Sequence, residues 1–284
     1  MKIKAKNLIL DLLLATPGQC LPAREAITSC ALFGISENSA RVTLARLTAE
    51  GLIEAAERGL YRLSAKAHEL ADEVATWRSA EQRVRDWNGG YLVVHIGPLK
   101  KGDRSLVRRR QRALDMLGFR GLEPGLLLRP DNIEDSIGAV RKRLIALGLE
   151  REAAVFIAQD FDATRSARIK RLWDGKALNA AYRNLGKQLN AWLARAHLLE
   201  PEAAARESFL LGGKAIRQVV FDPLLPSPMV DAQARHAFVE TVRRFDAAGQ
   251  AIWRRLRLPL DTSSFLEPKR SARAQARATI EKAP

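Results

Sequence analysis

Residues 34 to 51 read Gly34-Ile-Ser-Glu-Asn-Ser-Ala-Arg-Val-Thr-Leu-Ala-Arg-Leu-Thr-Ala-Glu-Gly51, and this stretch decides the fold of the N-terminal part of the chain. Ser36 stands where an N-cap is expected, because its hydroxyl can accept a hydrogen bond from a free backbone amide. Gly51 is typical of the end of a helix. The stretch therefore predicts one helix that begins after Ser36 and continues to about Glu50.

The two sides of this predicted helix differ in chemistry. At 100° per residue, one side carries Ala40, Thr43, Leu44 and Leu47, and the other carries Asn38, Val42, Ala45 and Ala49, with Arg41 and Arg46 at the margins. The first side suits a protein core. The second is small enough to enter the major groove of a DNA duplex, which is about 12 Å wide, while arginine and asparagine reach base edges or phosphates.

The elements around this helix complete a recognisable order. Leu8, Ile9, Leu12 and Leu13 predict a first helix, and Pro22 is expected in the first turn of a second helix that runs to about Phe33-Gly34. After the third helix, residues 52–55 and 60–63 predict a hairpin with its turn at 56–59. Three helices followed by a hairpin predict a winged helix-turn-helix over residues 1–63.

The candidate DNA contacts lie on the third helix and on this hairpin. They are Asn38, Ser39, Arg41, Val42, Arg46, Arg58 and Arg62. In the competing interpretation, Arg41 and Arg46 belong to a solvated helix surface and pair with glutamates such as Glu37 or Glu50 one turn away. A winged helix that binds a protein partner and no DNA is a further alternative.

The rest of the chain divides by its apolar patterns. Residues 64–86 predict a connector helix. Strands at 91–96, 125–128 and 153–158 alternate with helices at 106–117 and 133–147, which predicts a ferredoxin-like α/β plait over residues 87–165. Residues 166–267 predict a helical C-terminal domain, with apolar stripes that include Leu172 and Trp192, and residues 268–284 a mobile basic tail. The predicted fold class is α+β.

The charge balance favours a polyanionic partner. The 284 residues hold 47 Lys and Arg against 32 Asp and Glu, a net charge of +15. Residues 1–63 contribute 8 basic and 6 acidic side chains, whereas residues 164–284 contribute 22 basic and 11 acidic side chains. Most of the excess positive charge therefore lies outside the predicted winged helix-turn-helix. Two cysteines and no long apolar segment predict a cytoplasmic, nucleoid-associated protein without a membrane span.

Other groups that carry charge or chemistry give weaker signals. Arg108, Arg109 and Arg112, with Arg110 among them, are candidates for an anionic effector or for the DNA backbone, or form a solvated helix face. The four histidines lack metal-ligand spacing, and no cofactor motif is present, so no catalytic residue, metal or cofactor is predicted. The alternative function is a metal-dependent nucleic-acid-processing enzyme that uses Asp160 and Asp162 of the central domain.

Four segments together resemble the PaaX-type family of bacterial transcriptional regulators, named for the repressor of phenylacetate catabolism. They are Gly34 to Gly51, Trp87-Asn-Gly-Gly-Tyr91, Leu117-Gly-Phe-Arg-Gly-Leu-Glu-Pro-Gly125 and Asp222-Pro-Leu-Leu-Pro226. The resemblance extends to about residue 258. It implies a winged helix, a central domain similar to the small CRISPR adaptation nuclease, and a helical C-terminal domain.

The resemblance also implies a function. It implies a homodimer that binds a palindromic operator, represses an aromatic-acid catabolic operon and is released by an aryl-CoA ester. Arg41 and Arg46 stand where the family keeps arginines, whereas Asn38 replaces a commonly basic residue. The related nuclease has an aspartate at the end of its first strand, where this chain reads Val94-His95-Ile96-Gly97 without a carboxylate.

Overall fold

The described part of the chain is a mixed α+β fold in which helices pack around two antiparallel sheets. The structure is a computed structural model that describes residues 3–15, 20–65, 67, 76–97, 99, 103–134 and 136–257. The predicted α+β class is therefore confirmed.

The N-terminal elements form a unit that we call the head. It consists of helices α1 (Ala5–Ala15), α2 (Ala23–Ala31) and α3 (Glu37–Ala49) and of strands β1 (Leu21–Pro22), β2 (Ile53–Glu57) and β3 (Leu60–Leu63). The three strands pair in the order β1-β3-β2. The three helices enclose an apolar cluster in which Leu8, Leu44 and Leu47 are almost completely buried.

Two details of α2 differ from the sequence prediction. Pro22 is the N-cap of α2 and not a residue of its first turn, because its backbone is extended and pairs with Leu60 in the sheet. The helix ends at Ala31, before the predicted Phe33-Gly34. Gly34 has a φ of +69°, a conformation that glycine adopts without strain, and it turns the chain toward α3.

The hairpin has a tighter turn than the sequence predicts. The β2 strand continues through Glu57, so Arg58 and Gly59 alone connect it to β3. A bulge between Ala55 and Glu57 adjusts the register, and Gly59 has a φ of +77°. Arg58 therefore lies at the tip of the hairpin.

The second sheet lies in the middle of the chain. Its elements are β4 (Tyr91–His95), α4 (Arg104–Met116), β5 (Arg120–Glu123), β6 (Leu126–Pro130), α5 (Ile137–Leu147) and β7 (Ala154–Ala158). The strands are antiparallel in the order β5-β6-β4-β7. Strand β5 has no counterpart in the sequence prediction, because it is short and has a charged residue at each end. Helix α5 begins later than predicted, since Ile133 bridges to Val84 outside the helix.

Each face of this sheet is covered by different elements. Residues Leu114 and Leu144, from α4 and α5, pack against Leu92 on one face. On the other face, Ile169 at the end of α6 (Ala163–Ile169) and Trp173 pack with Val93. Both faces are thus buried over much of their area.

Three long helices complete the described chain: α7 (Gly175–Arg195), α8 (Pro201–Val220) and α9 (Ala232–Arg257). The last helix packs against both others, with Phe245 centred 4.6 Å from the ring of Trp192. Leu172, which the sequence analysis placed on a helical stripe, precedes α7 and packs with Trp173 instead. No helix in the described part of the chain is long and apolar enough to cross a membrane.

The predicted connector helix is only partly described. Its C-terminal portion, Thr76–Arg83, is a 3₁₀ helix that buries Trp77 and Ala80. Residues 66 and 68–75 lie outside the described residues, as does the predicted basic tail at 268–284.

Candidate nucleic-acid interface

One side of α3 is fixed in the head. The Ser36 hydroxyl accepts a hydrogen bond from the Ser39 amide at 3.3 Å, so the predicted N-cap is present. Ala40, Leu44 and Leu47 are at most 2% exposed. At the other end of α3, Lys6 of α1 pairs with Glu50 at 2.5 Å. These contacts fix the rotation of α3 about its axis.

The opposite side of α3 faces solvent. All five candidate contacts on this helix are exposed, namely Asn38, Ser39, Arg41, Val42 and Arg46. Val42 is 41% exposed although it is apolar, and Ala45 and Ala49 beside it are also exposed. A helix face of small side chains can approach the floor of the DNA major groove closely. The flanking cations complement the negative charge of the DNA backbone.

The two arginines of α3 have different surroundings. Arg41 pairs with Glu37 one turn earlier, with Nη2 2.6 Å from Oε1, and both side chains are about 60% exposed. The pairing of Arg41 with Glu37 is the contact that the competing interpretation, a solvated helix surface, predicts. Arg46 has no ion-pair partner among the described residues, because Glu50 is taken by Lys6.

The two candidate arginines of the hairpin differ in the same way. Arg62 on β3 pairs with Glu54, its direct neighbour on β2, with Nη2 2.7 Å from Oε1. Arg58 at the tip is exposed and forms no ion pair within the described part of the chain. Two of the four candidate arginines therefore carry a nearby carboxylate, and two present an uncompensated charge.

The head contacts the C-terminal helices at a point that the sequence analysis missed. The ring of Phe33, between α2 and α3, lies 5.3 Å from that of Phe209 on α8, which lies 6.2 Å from that of Trp253 on α9. Arg206 of α8 also donates to the Leu32 carbonyl at 3.5 Å. Trp253 was assigned to a stripe between C-terminal helices, and periodicity alone does not reveal that it packs against the head.

The structure divides the arginine run on α4. Arg108, Arg109 and Arg112 are exposed as a solvated or ligand-binding face requires. Arg110 is buried instead, and its Nε donates to both carboxylate oxygens of Glu150 at 3.0 and 3.1 Å. These hydrogen bonds hold the pKa of Glu150 below its usual range. Arg110 is therefore not part of the surface cluster.

The two aspartates of the enzyme alternative do not belong to a metal-ligand group within the described residues. Asp162 caps α6, where it accepts from the Arg165 amide at 2.8 Å, and its carboxylate pairs with the Arg165 side chain at 2.6 Å. The hydrogen bond from that amide lowers the pKa of Asp162. Asp160 is exposed. Among the described residues, no three His, Cys, Asp or Glu side chains group together as metal ligands.

Two of the segments that carry the family resemblance meet inside the protein. A Cβ added to Gly118 would lie 2.6 Å from the Cα of Pro223, so the two backbones are in contact. The Trp173 indole donates to the Gly118 carbonyl at 3.0 Å, and Asn132 donates to the Leu224 carbonyl at 2.8 Å. These segments therefore join the central sheet to the C-terminal helices.

Arg129 lies in the same junction and is 1% exposed. It donates to the carbonyls of Leu117 and Pro130 and to the Asn132 side chain. Burial lowers the pKa of Arg129 to about 9, although the charge of Asp131 opposes the shift. A guanidinium held by three acceptors in a closed interior serves to fix the junction.

The fold and the exposed basic helix define the class: an α+β protein whose N-terminal head presents a cationic surface. Two family profiles match the chain, PaaX-like protein over residues 4–67 and PaaX-like protein C-terminal domain over residues 173–255. The chain belongs to the PaaX-type family, which is a family of transcriptional regulators.

Comparison with individual proteins adds support for the fold alone. An uncharacterized protein from Mycobacterium tuberculosis is 23% identical, with a TM-score of 0.51 over 87% of this chain and 99% of that chain. No curated protein matches the sequence. The family membership does not favour the enzyme alternative.

Proposed function

We propose that the protein is a sequence-specific DNA-binding transcriptional regulator that acts in the cytoplasm on an aromatic-acid, phenylacetate-like catabolic operon. Membership of a regulator family supports this proposal. The observation that carries it is the exposed side of α3, where Val42 and two arginines face solvent while Leu44 and Leu47 hold the helix in the head.

The proposal includes a division of the chain into parts. Residues 1–63 form a winged helix-turn-helix, joined by a connector at 64–86 to a ferredoxin-like domain at 87–165. A helical domain at 166–267 and a basic tail at 268–284 follow. The sequence of three helices and a hairpin supports the first assignment. The order strand–helix–strand–strand–helix–strand, with the sheet order β5-β6-β4-β7, supports the ferredoxin-like assignment.

The residues of the interface have distinct expected roles. Asn38 reads base edges from the middle of the exposed side and Arg46 from its margin, while Ser39 and Val42 make close contacts with the groove. Arg41, Arg58 and Arg62 bind the DNA backbone. An exposed ion pair contributes only about 0.2–1 kcal/mol, so exchanging Glu37 or Glu54 for a phosphate costs little.

Repression and its release require two copies of the head. A two-fold homodimer would place two α3 helices in successive major grooves, about 34–36 Å apart, on a palindromic operator. An aryl-CoA effector would release the operator by favouring a dimer with a different spacing, through a coupling of about 1–3 kcal/mol. Arg108, Arg109 and Arg112 are the proposed contacts for its phosphates.

Selection of binding sites from a pool of random duplexes tests the proposal. The expected result is a near-palindromic consensus that the purified protein protects from cleavage. Arg46→Ala is expected to relax selection at one position per half-site, whereas Lys187→Ala, which removes an exposed charge from α7, leaves the consensus unchanged. Recovery of no consensus at low salt would contradict the proposal.

A further inference from the structure

The exposed face of α8 carries a row of cations. Seven residues of this helix are exposed: Pro201, Glu202, Arg206, Leu210, Gly213, Lys214 and Arg217. Arg206, Gly213 and Arg217 follow the spacing i, i+7, i+11 and therefore lie along one side of the helix, with Lys214 beside them. Glu202 is in the first turn, where it complements the helix dipole, and Glu207, the other carboxylate of the helix, pairs with Arg195 at 2.6 Å. We call this face the α8 stripe.

One end of the α8 stripe lies against the head. Arg206 donates a hydrogen bond to the carbonyl of Leu32, which lies four residues before the N-cap of α3. Phe209 packs against Phe33, the residue that follows Leu32. The candidate DNA-reading helix and the stripe thus begin at a shared contact.

The other end of the stripe brings together cations from two helices. Partial burial is the main cause that lowers the pKa of Arg112 on α4. The nearby positive charge of Arg217 lowers this pKa further. The guanidinium of Arg217 lies 5.1 Å from the ring centre of Phe221. Within the described residues, no ion pair is formed by Lys214, Arg217 or Arg112, so their charges repel one another without a counter-ion from the protein.

We propose that the α8 stripe is a second DNA-binding surface that contacts the phosphate backbone beside the site bound by the head. This inference rests on the proposed function of the head. Arg206 and Arg217 are eleven residues apart, which corresponds to about 16 Å along the helix. One DNA strand presents a phosphate every 3.4 Å along the duplex axis, so the stripe spans about five phosphates.

Such a surface adds affinity without sequence selectivity. Each phosphate contact steepens the dependence of log K on log salt by about 0.9, and it acts equally on specific and non-specific duplexes. Arg206, Lys214 and Arg217 are three of the 22 basic residues at 164–284, so the stripe accounts for part of the positive charge outside the head.

The test uses the full-length protein and the duplex selected above. Lys214→Gln/Arg217→Gln is expected to reduce the salt slope by about 2 and to weaken specific and non-specific binding by the same factor. Lys176→Gln/Lys187→Gln is the matched control, because it removes two exposed charges from another helix.

A second pair of variants separates the proposal from effects on folding. A Cβ added to Gly213 has no other atom within 4 Å and the residue is exposed, so we expect both Gly213→Gln and Gly213→Glu to fold. Only the glutamate variant is expected to weaken DNA binding, because it places a negative charge in the stripe.

The outcomes distinguish this inference from the proposed function. If the consensus is retained and all stripe variants bind with the parental affinity and salt slope, the α8 stripe is not a DNA-binding surface, although the head still is. If no duplex is bound specifically, the proposed function itself is wrong.

Discussion

Replacing Arg41 with alanine separates the role of this side chain in folding from its role in binding. In the structure, Arg41 is 62% exposed and its ion pair with Glu37 is a one-turn helical pair. Such pairs contribute about 0.3–0.5 kcal/mol, and arginine and alanine are both good helix formers. The free energy of unfolding should therefore change by no more than about 0.5 kcal/mol.

The expected effect on DNA binding is of a different kind. Because Arg41 is assigned to the DNA backbone, its loss should lower the salt slope by about 1 and weaken binding to all duplexes by a similar factor. Glu37→Gln has the opposite effect, because it releases Arg41 from its carboxylate. That release is worth about 0.3–0.5 kcal/mol, or roughly a twofold gain in affinity.

Arg183 on α7 provides a closely matched control. It is 60% exposed, and its Nη2 lies 2.8 Å from the carboxylate of Asp231, so its surroundings resemble those of Arg41. Fluorescence anisotropy at several salt concentrations, with chemical denaturation in parallel, measures both quantities for Arg41→Ala and Arg183→Ala. Equal DNA affinities and salt slopes for these two variants would refute the assignment of Arg41 to the interface.

Three further predictions concern the framework that holds the site. Ser36→Ala removes the cap of α3 and should cost about 1 kcal/mol in denaturant titrations, while Ser36→Asp retains the cap and the stability. Glu150 has a lowered pKa because of its buried arginine partner, so the pair stabilises the protein above about pH 4.3 and this contribution is lost as the pH falls through the folded-state pKa. Glu150→Gln should flatten that acid limb of the stability profile; an unchanged limb would contradict this role. Gly118→Ala should lower the thermal midpoint, because the residue has a φ of +74° and its Cβ would meet the Pro223 backbone, whereas Gly213→Ala in α8 should raise it.

Local signals were sufficient for the helix on which the proposed function depends. Three local features predicted α3. Ser36 and Gly51 marked its two ends, and the spacing of Leu44 and Leu47 marked its buried side. The same kind of signal misplaced the start of α2, since Pro22 suits a strand end and an N-cap as well as a first helical turn. It also missed β5, whose four residues contain too few apolar side chains to show an alternating pattern.

Pairings between distant residues required the fold. Sequence spacing did not reveal that Arg110 points inward to Glu150 while its neighbours in the run stay exposed. Sequence spacing also did not show that Lys6 forms an ion pair with Glu50, which leaves Arg46 without its expected partner. In both cases a charged partner 40 or more residues away in sequence decides the outcome, because Glu150 pairs with Arg110 and Lys6 pairs with Glu50.

By itself, the sequence determined the α+β class, the family, the amphipathic helix and the excess of positive charge. These properties follow from residue types and from periodicities of a few residues, which act within a single element. The tertiary structure alone decided which of those charges are neutralised and where the head meets α8. Ion pairing and packing depend on distances in space, and only the folded chain brings residues from separate elements to those distances.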